Sequence, residues 1–228
     1  MSMLRFTRRG TAMAAAALAL AACGSGSESS ESGTNSGGTD SNRVVLQDIV
    51  FGDPDAPVTL VEYASWTCPA CLVFHTRVMP TVKADYVDTG KVKLVFREFP
   101  TAPANVTVAG FALARCTEGQ AYYDLLDELF MRQDAILTLA RQGGPVAEAL
   151  KQVASNHGIE GDEAFQACLD SQENRDAIRA SIAAADGDNV TGTPTFFPNG
   201  ERMEDSARIS VASFTGELDA AYAASTGE

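Results

Sequence analysis

One junction limits what this chain can fold into more than any other feature. The apolar run VTLVEYA at 58–64 leads through Ser65-Trp66-Thr67 into Cys68-Pro69-Ala70-Cys71, after which Phe74, Val78, Val82 and Tyr86 recur every four residues. The run is apolar enough for a central strand. The four-residue recurrence predicts a helix over about 69–88 that buries one stripe and kinks at Pro80. Thr89-Gly90 closes it, and VKLVFREF at 92–99 reads as a second strand. Strand, helix, strand in this order is a βαβ unit, which implies a parallel pair joined by a right-handed crossover. The two cysteines therefore sit where a strand hands over to a helix.

That setting gives them a chemistry. A C-x-x-C pair in isolation is often half of a zinc site, whereas at a strand-to-helix junction it reads as a redox dithiol. Cys68 is predicted at the N-cap, where free backbone N–H groups and the helix macrodipole stabilise an anion. Thiolate is the attacking form, so Cys68 is the candidate nucleophile. Pro69 suits the first helical position, where a missing N–H costs nothing. Cys71, one turn later on the same face, is the candidate resolving thiol.

The rest of the folded part changes character along its length. Residues 44–51 alternate loosely and predict a first strand, ended by Gly52-Asp53-Pro54-Asp55. From about 105 to 187 strand signals stop. Apolar stripes at Ala109, Ala112, Leu113 and Cys116, then at Tyr122, Leu125, Leu126 and Leu129, predict helices, with weaker helical patterns over 145–157, 162–171 and 173–185. Strand character returns at 195–197, turns at Pro198-Asn199-Gly200 and resumes around Arg202, and 213–224 closes the chain as an amphipathic helix. Once the motif takes Cys68 and Cys71, and Cys23 is set aside, Cys116 and Cys168 remain, each on an apolar helix stripe. In an oxidising compartment two such thiols usually pair, so a structural Cys116–Cys168 disulfide is expected. Two separately packed thiols are the alternative.

Ahead of this domain, residues 1–22 read as an export signal. Arg5, Arg8 and Arg9 make a basic start, and 11–22 an apolar stretch too short to span a bilayer. Leu20-Ala21-Ala22-Cys23 resembles the lipobox of bacterial lipoproteins, in which the cysteine is lipidated and becomes the new N-terminus. A plain cut near Ala22, with Cys23 incidental, is the alternative. Residues 24–42 hold no apolar side chain, and twelve of the nineteen are Gly or Ser. Residues 23–42 are therefore predicted to be a lipidated cysteine plus a flexible tether spanning roughly 25 Å, with the folded domain over 43–228. The formal charge is −13, and losing the three arginines takes it to −16. An acidic body with no Lys/Arg cluster repels phosphate backbones, which excludes nucleic acid as a partner.

Three separated blocks, VEYASWTCPACLVFH, DTGKVKLVFREFP and GTPTFFPNG, resemble in order those of the DsbA-like branch of the thioredoxin superfamily. The resemblance runs from about Asp48 to the C-terminus and implies an α/β thioredoxin fold with an inserted helical subdomain. It implies that Pro194 is the cis-proline facing the dithiol and that the Thr193 backbone pairs with an incoming substrate strand. An ordinary trans turn is the alternative. It implies further that Glu62, six residues before Cys68, is a buried carboxyl exchanging protons with Cys71, its pKa raised by burial. A glutamate pointing to water is the other reading. Members of the branch often carry His or Tyr where this chain has Ala70. Alanine offers no charge or hydrogen bond, so the thiolate should be less stabilised and the couple less oxidising than in a Pro-His version. Trp66 is either a substrate-facing rim or a packed aromatic, and His75 either approaches the site or is a half-exposed helix position.

The function implied is an extracytoplasmic protein thiol–disulfide oxidoreductase needing neither cofactor nor metal. Its partners would be exported protein thiols or disulfides, plus a membrane redox partner that resets the dithiol. The lipid anchor would hold it on the periplasmic side of a bacterial membrane. Service as an oxidant is the leading expectation. A dithiol reductase for cytochrome or copper-site assembly is the alternative that Thr193 and Ala70 keep open. A metal-binding lipoprotein would need ligands beyond Cys68 and Cys71, and Cys116, Cys168, His75 and His157 are distant in sequence.

Overall fold

The computed structural model describes residues 47–206, 208 and 210–227. The export signal expected at 1–22, Cys23, the tether to residue 42 and the start of the first expected strand lie outside the described residues.

Four strands, β1 (Ile49–Phe51), β2 (Val58–Ala64), β3 (Val92–Glu98) and β4 (Thr195–Pro198), form one sheet in the order β1-β3-β2-β4. β2 and β3 run parallel, with Leu60 opposite Leu94 and Glu62 opposite Phe96. β1 is antiparallel to β3, and β4 is antiparallel to β2 with Tyr63 opposite Thr195. The last pairing brings Pro194, one residue before β4, to the end of β2 from which the dithiol departs. A return strand around Arg202 does not form. Met203 alone gives its N–H to Phe196 O (2.9 Å). In ERMEDS at 201–206 Met203 is the single apolar side chain, so no alternating pattern exists to bury.

The β2-to-β3 crossover is α1 (Pro69–Arg77), α2 (Met79–Val82) and a π-helical turn, Lys83–Val87. The expected stripe is intact, since Phe74, Val78, Val82 and Tyr86 are all buried. The break falls at Val78 (φ −107°, ψ −47°), two residues before the expected kink at Pro80. A proline ring crowds the turn before it and cannot donate backward, so the interruption lands upstream. Pro80 itself occupies the first turn of α2, where it is tolerated.

Both faces of the sheet are covered. Val58, Leu60, Leu94, Phe96 and Phe196 belong to the larger core. There Phe74 of α1 and Phe214 of α9 (Val211–Thr226) meet Phe196, with ring centroids 4.4 and 4.8 Å away. Tyr63, Val190 and Phe197 form a smaller cluster on the other face with Ala185. Between β3 and β4 lie α3 (Ala104–Ala114), α4 (Gln120–Met131), α5 (Gln133–Gln142), α6 (Val146–Asn156), α7 (Gly161–Asp170) and α8 (Gln172–Gly187). This is the inserted helical block. Its α5 goes beyond the helices legible in the sequence pattern. Cys116, just past α3, and Cys168 on α7 are joined by a disulfide with Cα atoms 5.8 Å apart. Among the described residues no helix is long and apolar enough to cross a membrane.

Candidate active site

Cys68 is the N-cap of α1 in extended conformation (φ −85°, ψ 122°), and Pro69 follows in the first turn. The cap residue gives its N–H to Ser65 O (3.0 Å), and its carbonyl accepts from Leu72 N–H (3.1 Å). Both thiols are free in this reduced form, Cys68 partly exposed and Cys71 buried. Their acidities diverge accordingly. The Cys71 thiol donates toward Cys68 and leads in holding it down at about 5, against the burial that would raise it; Thr193 and the N–H groups of Cys71 and Ala70 add to the effect. Cys71 is pushed well above the ordinary thiol range, first by burial and then by the neighbouring Cys68 sulfur. The thiolate is held by a second thiol and by backbone donors at the helix start.

Thr193 and Pro194 complete the front of the site. The Thr193–Pro194 bond is cis, and Cys68 Sγ lies 3.4 Å from Thr193 O. The Thr193 hydroxyl is buried with no hydrogen-bond partner in this reduced arrangement. It lies close enough to both sulfurs to favour their anions.

The loop before the motif is tied to the helical block by residues that the sequence pattern did not single out. Gln133, at the start of α5 and buried, gives its amide N–H groups to Trp66 O (2.6 Å) and Cys68 O (3.0 Å). The Thr67 hydroxyl meets those of Ser65 (3.0 Å), Thr101 (2.8 Å) and Thr107 (2.7 Å). Trp66 is a packed aromatic, fully buried, with its indole N–H on Thr107 O (2.9 Å). It lies against Gly110 of α3 so closely that a Cβ there would stand 2.5 Å from the indole nitrogen. Apart from Ser65, the strand–loop–helix pattern contains no hint of these partners, which come from 34 to 67 residues away.

Glu62 lies between Leu60 and Ala64 on the strand face that turns to the larger core, and is 2 % exposed. Burial pushes its carboxyl up to about 8, so it is a neutral acid at neutral pH. His75 is mostly buried rather than half-exposed. Its Nε2 lies 2.5 Å from Asp127 Oδ1, and its ring stacks on Phe130 at 4.3 Å. His157 pairs with Glu128 instead (2.8 Å). Among the described residues no three His, Cys, Asp or Glu side chains converge as a metal site.

A reactive cap cysteine on the helix after the second strand, faced by a cis-proline from the strand beside it, places the chain in the class of thioredoxin-fold dithiol proteins. A family profile described as Thioredoxin matches residues 45–219, and the chain belongs to that family, in the DsbA-like form with its helical block inserted after β3. The crystal structure of alpha-DsbA1 from Wolbachia pipientis superposes with a TM-score of 0.62 at 28% identity, covering 80% of this chain and 96% of that one. A Rickettsia bellii protein bearing the name of a protein-disulfide oxidoreductase is 27% identical over 175 residues, 76% of this chain and 64% of the relative. A Bacillus anthracis protein named for disulfide bond formation is 26% identical over 163 residues, 66% of this chain and 69% of the relative. The chain spans 53 to 64% of the length of the Rickettsia relatives it matches.

Proposed function

We propose that the protein is an extracytoplasmic thiol–disulfide oxidoreductase whose working form holds a Cys68–Cys71 disulfide and passes it to the thiols of exported proteins. A client thiolate attacks Cys68, the sulfur at the surface, and Cys71 leaves with the bonding electrons. Cys71 takes a proton from the neutral Glu62 carboxyl as it leaves. A second client thiolate then attacks the client sulfur of the mixed disulfide, expelling Cys68 as a stable thiolate and closing the client's disulfide. Pro194 and the Thr193 backbone present the edge along which the client strand lies during both steps. A membrane partner accepts the electrons and restores the disulfide.

The observation that carries this reading is the split between the two thiols: Cys68 is held at about 5 and Cys71 well above its ordinary range. A stabilised thiolate favours the reduced protein, which makes the disulfide form an oxidant. Equilibrating the couple with glutathione tests it, alongside Cys71→Ser to arrest mixed disulfides at Cys68. A potential well above the glutathione couple, with reduced exported clients trapped, supports the oxidant. A low potential with haem- or copper-protein clients would assign the reductase role instead. The names of the Rickettsia bellii and Bacillus anthracis relatives agree with the reaction class.

The same proposal places the protein at a membrane by lipid on Cys23, after removal of residues 1–22. Membrane fractionation of wild type against Cys23→Ser decides this part; equal amounts of both in the soluble fraction would remove the anchor.

A further inference from the structure

The proposed reaction leaves a proton to be accounted for. Each turnover strips a proton from Glu62, and each resetting step returns one, yet the carboxyl is buried. A small cavity of about 10 Å³, room for one water, lies beside it. The titratable groups facing that cavity are Glu62 from β2, His75 from α1, Lys83 from the π-helical turn, and Tyr123 and Asp127 from α4. α2 and β3 contribute only Met79, Leu94 and Phe96. Tyr123 is occupied: its hydroxyl donates to Ile49 O (3.3 Å), and burial holds its proton firmly. Lys83 sets its ammonium over the Phe51 ring (4.8 Å). The remaining pair is His75 and Asp127, in contact at 2.5 Å, with 14% of the histidine side chain and 44% of the aspartate side chain exposed. Exposure therefore rises stepwise from Glu62 to His75 to Asp127. Imidazole is the side chain that both accepts and releases protons near neutral pH.

We propose that His75 and Asp127 form the outlet through which the proton held at Glu62 exchanges with solvent, by way of one water in the cavity between them. The proposal rests on the Glu62 role given above, and both residues act through Glu62 rather than on the sulfurs. In the oxidising direction Cys71 leaves with its electron pair and takes the Glu62 proton. The resulting carboxylate draws a proton from the cavity water, the water draws one from the imidazole, and the imidazole takes its replacement at Nε2 from Asp127, whose carboxylate has picked up a proton from solvent. During resetting each transfer reverses. No electrons move along this route.

The test uses the full chain and a synthetic two-cysteine peptide whose fluorescence changes when its disulfide closes. Rates are measured from pH 5 to 9, in light and heavy water, for wild type, Glu62→Gln, His75→Phe, His75→Ala and Asp127→Asn. His75→Phe keeps the ring stacked on Phe130 without a proton to pass. It should slow oxidation at pH 7 roughly tenfold, short of the hundredfold or more attached to a complete general acid. It should also enlarge the solvent isotope effect, with an unchanged melting temperature. Imidazole added to the buffer should restore His75→Ala, a response that a purely structural role does not give. Asp127→Asn, at a half-exposed position, should shift the pH profile the same way by a smaller factor, which keeps the idea open to refutation if the His75 variants fold poorly. Wild-type rates, pH profiles and isotope effects in both His75→Phe and Asp127→Asn would overturn the outlet. If those variants are silent while Glu62→Gln is slow, only the outlet fails. If Glu62→Gln is also silent, the buried acid falls with it. A wild type that does not oxidise the peptide would remove the parent reading as well.

Discussion

Between pH 4.5 and about 8 the Glu62 carboxyl is protonated in the folded chain and ionised in the unfolded one. Over that window the folded state binds the extra proton, so stability falls as pH rises, at about 1.4 kcal/mol per pH unit. Glu62→Gln removes the titration. Denaturant unfolding at pH 4, 6 and 8 should show the variant gaining on wild type with each step, reaching a few kcal/mol at about pH 8. A gap independent of pH would mean that the carboxyl is not buried as described. Gln133 is the other residue whose effect is separable. Gln133→Leu leaves the Trp66 carbonyl without its side-chain donor and takes one of two donors from the Cys68 carbonyl, which keeps Leu72 N–H, at a cost of about 1–3 kcal/mol for the buried acceptor. It should also raise the Cys68 pKa, because carbonyls beside the thiolate that lose the amide donor present more negative charge to it; absorbance of the thiolate against pH reads this directly. The two cysteines were legible from their position between one strand and one helix, whereas Glu62 and Pro194 stood out only through the resemblance to DsbA-like sequences. Gln133 was not legible, because its role depends on where α5 docks, 65 residues downstream of the cysteine that it steadies.

Among the elements, β2 and the first two turns of α1 came straight from pattern, since seven apolar-rich residues and a four-residue stripe each admit one arrangement. The helix after α1 was harder. The stripe is continuous through Pro80, and only the backbone reveals that the chain breaks at Val78 and then widens into a π-helical turn. The strand expected near Arg202 failed for want of apolar partners, although the turn before it is real, with Asn199 and Gly200 at positive φ. The Cys116–Cys168 bond ties the loop after α3 to α7 across 52 residues. Closing a loop of that size is worth about 4 kcal/mol in chain entropy. A Cys116→Ala/Cys168→Ala double variant should therefore melt lower by many degrees while retaining the exchange rate of wild type at 20 °C, measured with the same two-cysteine peptide. A comparable loss of rate in the folded variant would show that α3 and α7 help to shape the dithiol.

Taken whole, the molecule is strongly acidic, with a formal charge of −13. A field of that sign slows the approach of acidic clients and speeds basic ones, within a screening length of about 8 Å at physiological salt. Oxidation of a lysine-flanked two-cysteine peptide should outpace that of its glutamate-flanked counterpart at low ionic strength, and the two rates should converge as salt rises. Rates insensitive to salt would show that encounter is governed by local contacts at the Thr193–Pro194 edge alone. The unequal depth of the two sulfurs has a consequence beyond client exchange. Peroxide or hypochlorous acid from outside meets Cys68 first and converts it to a sulfenic acid. The shielded Cys71 thiol then condenses with that group, releasing water and closing the same Cys68–Cys71 disulfide proposed as the working form. Oxidation that would inactivate a lone surface thiol is here turned into a reversible bond.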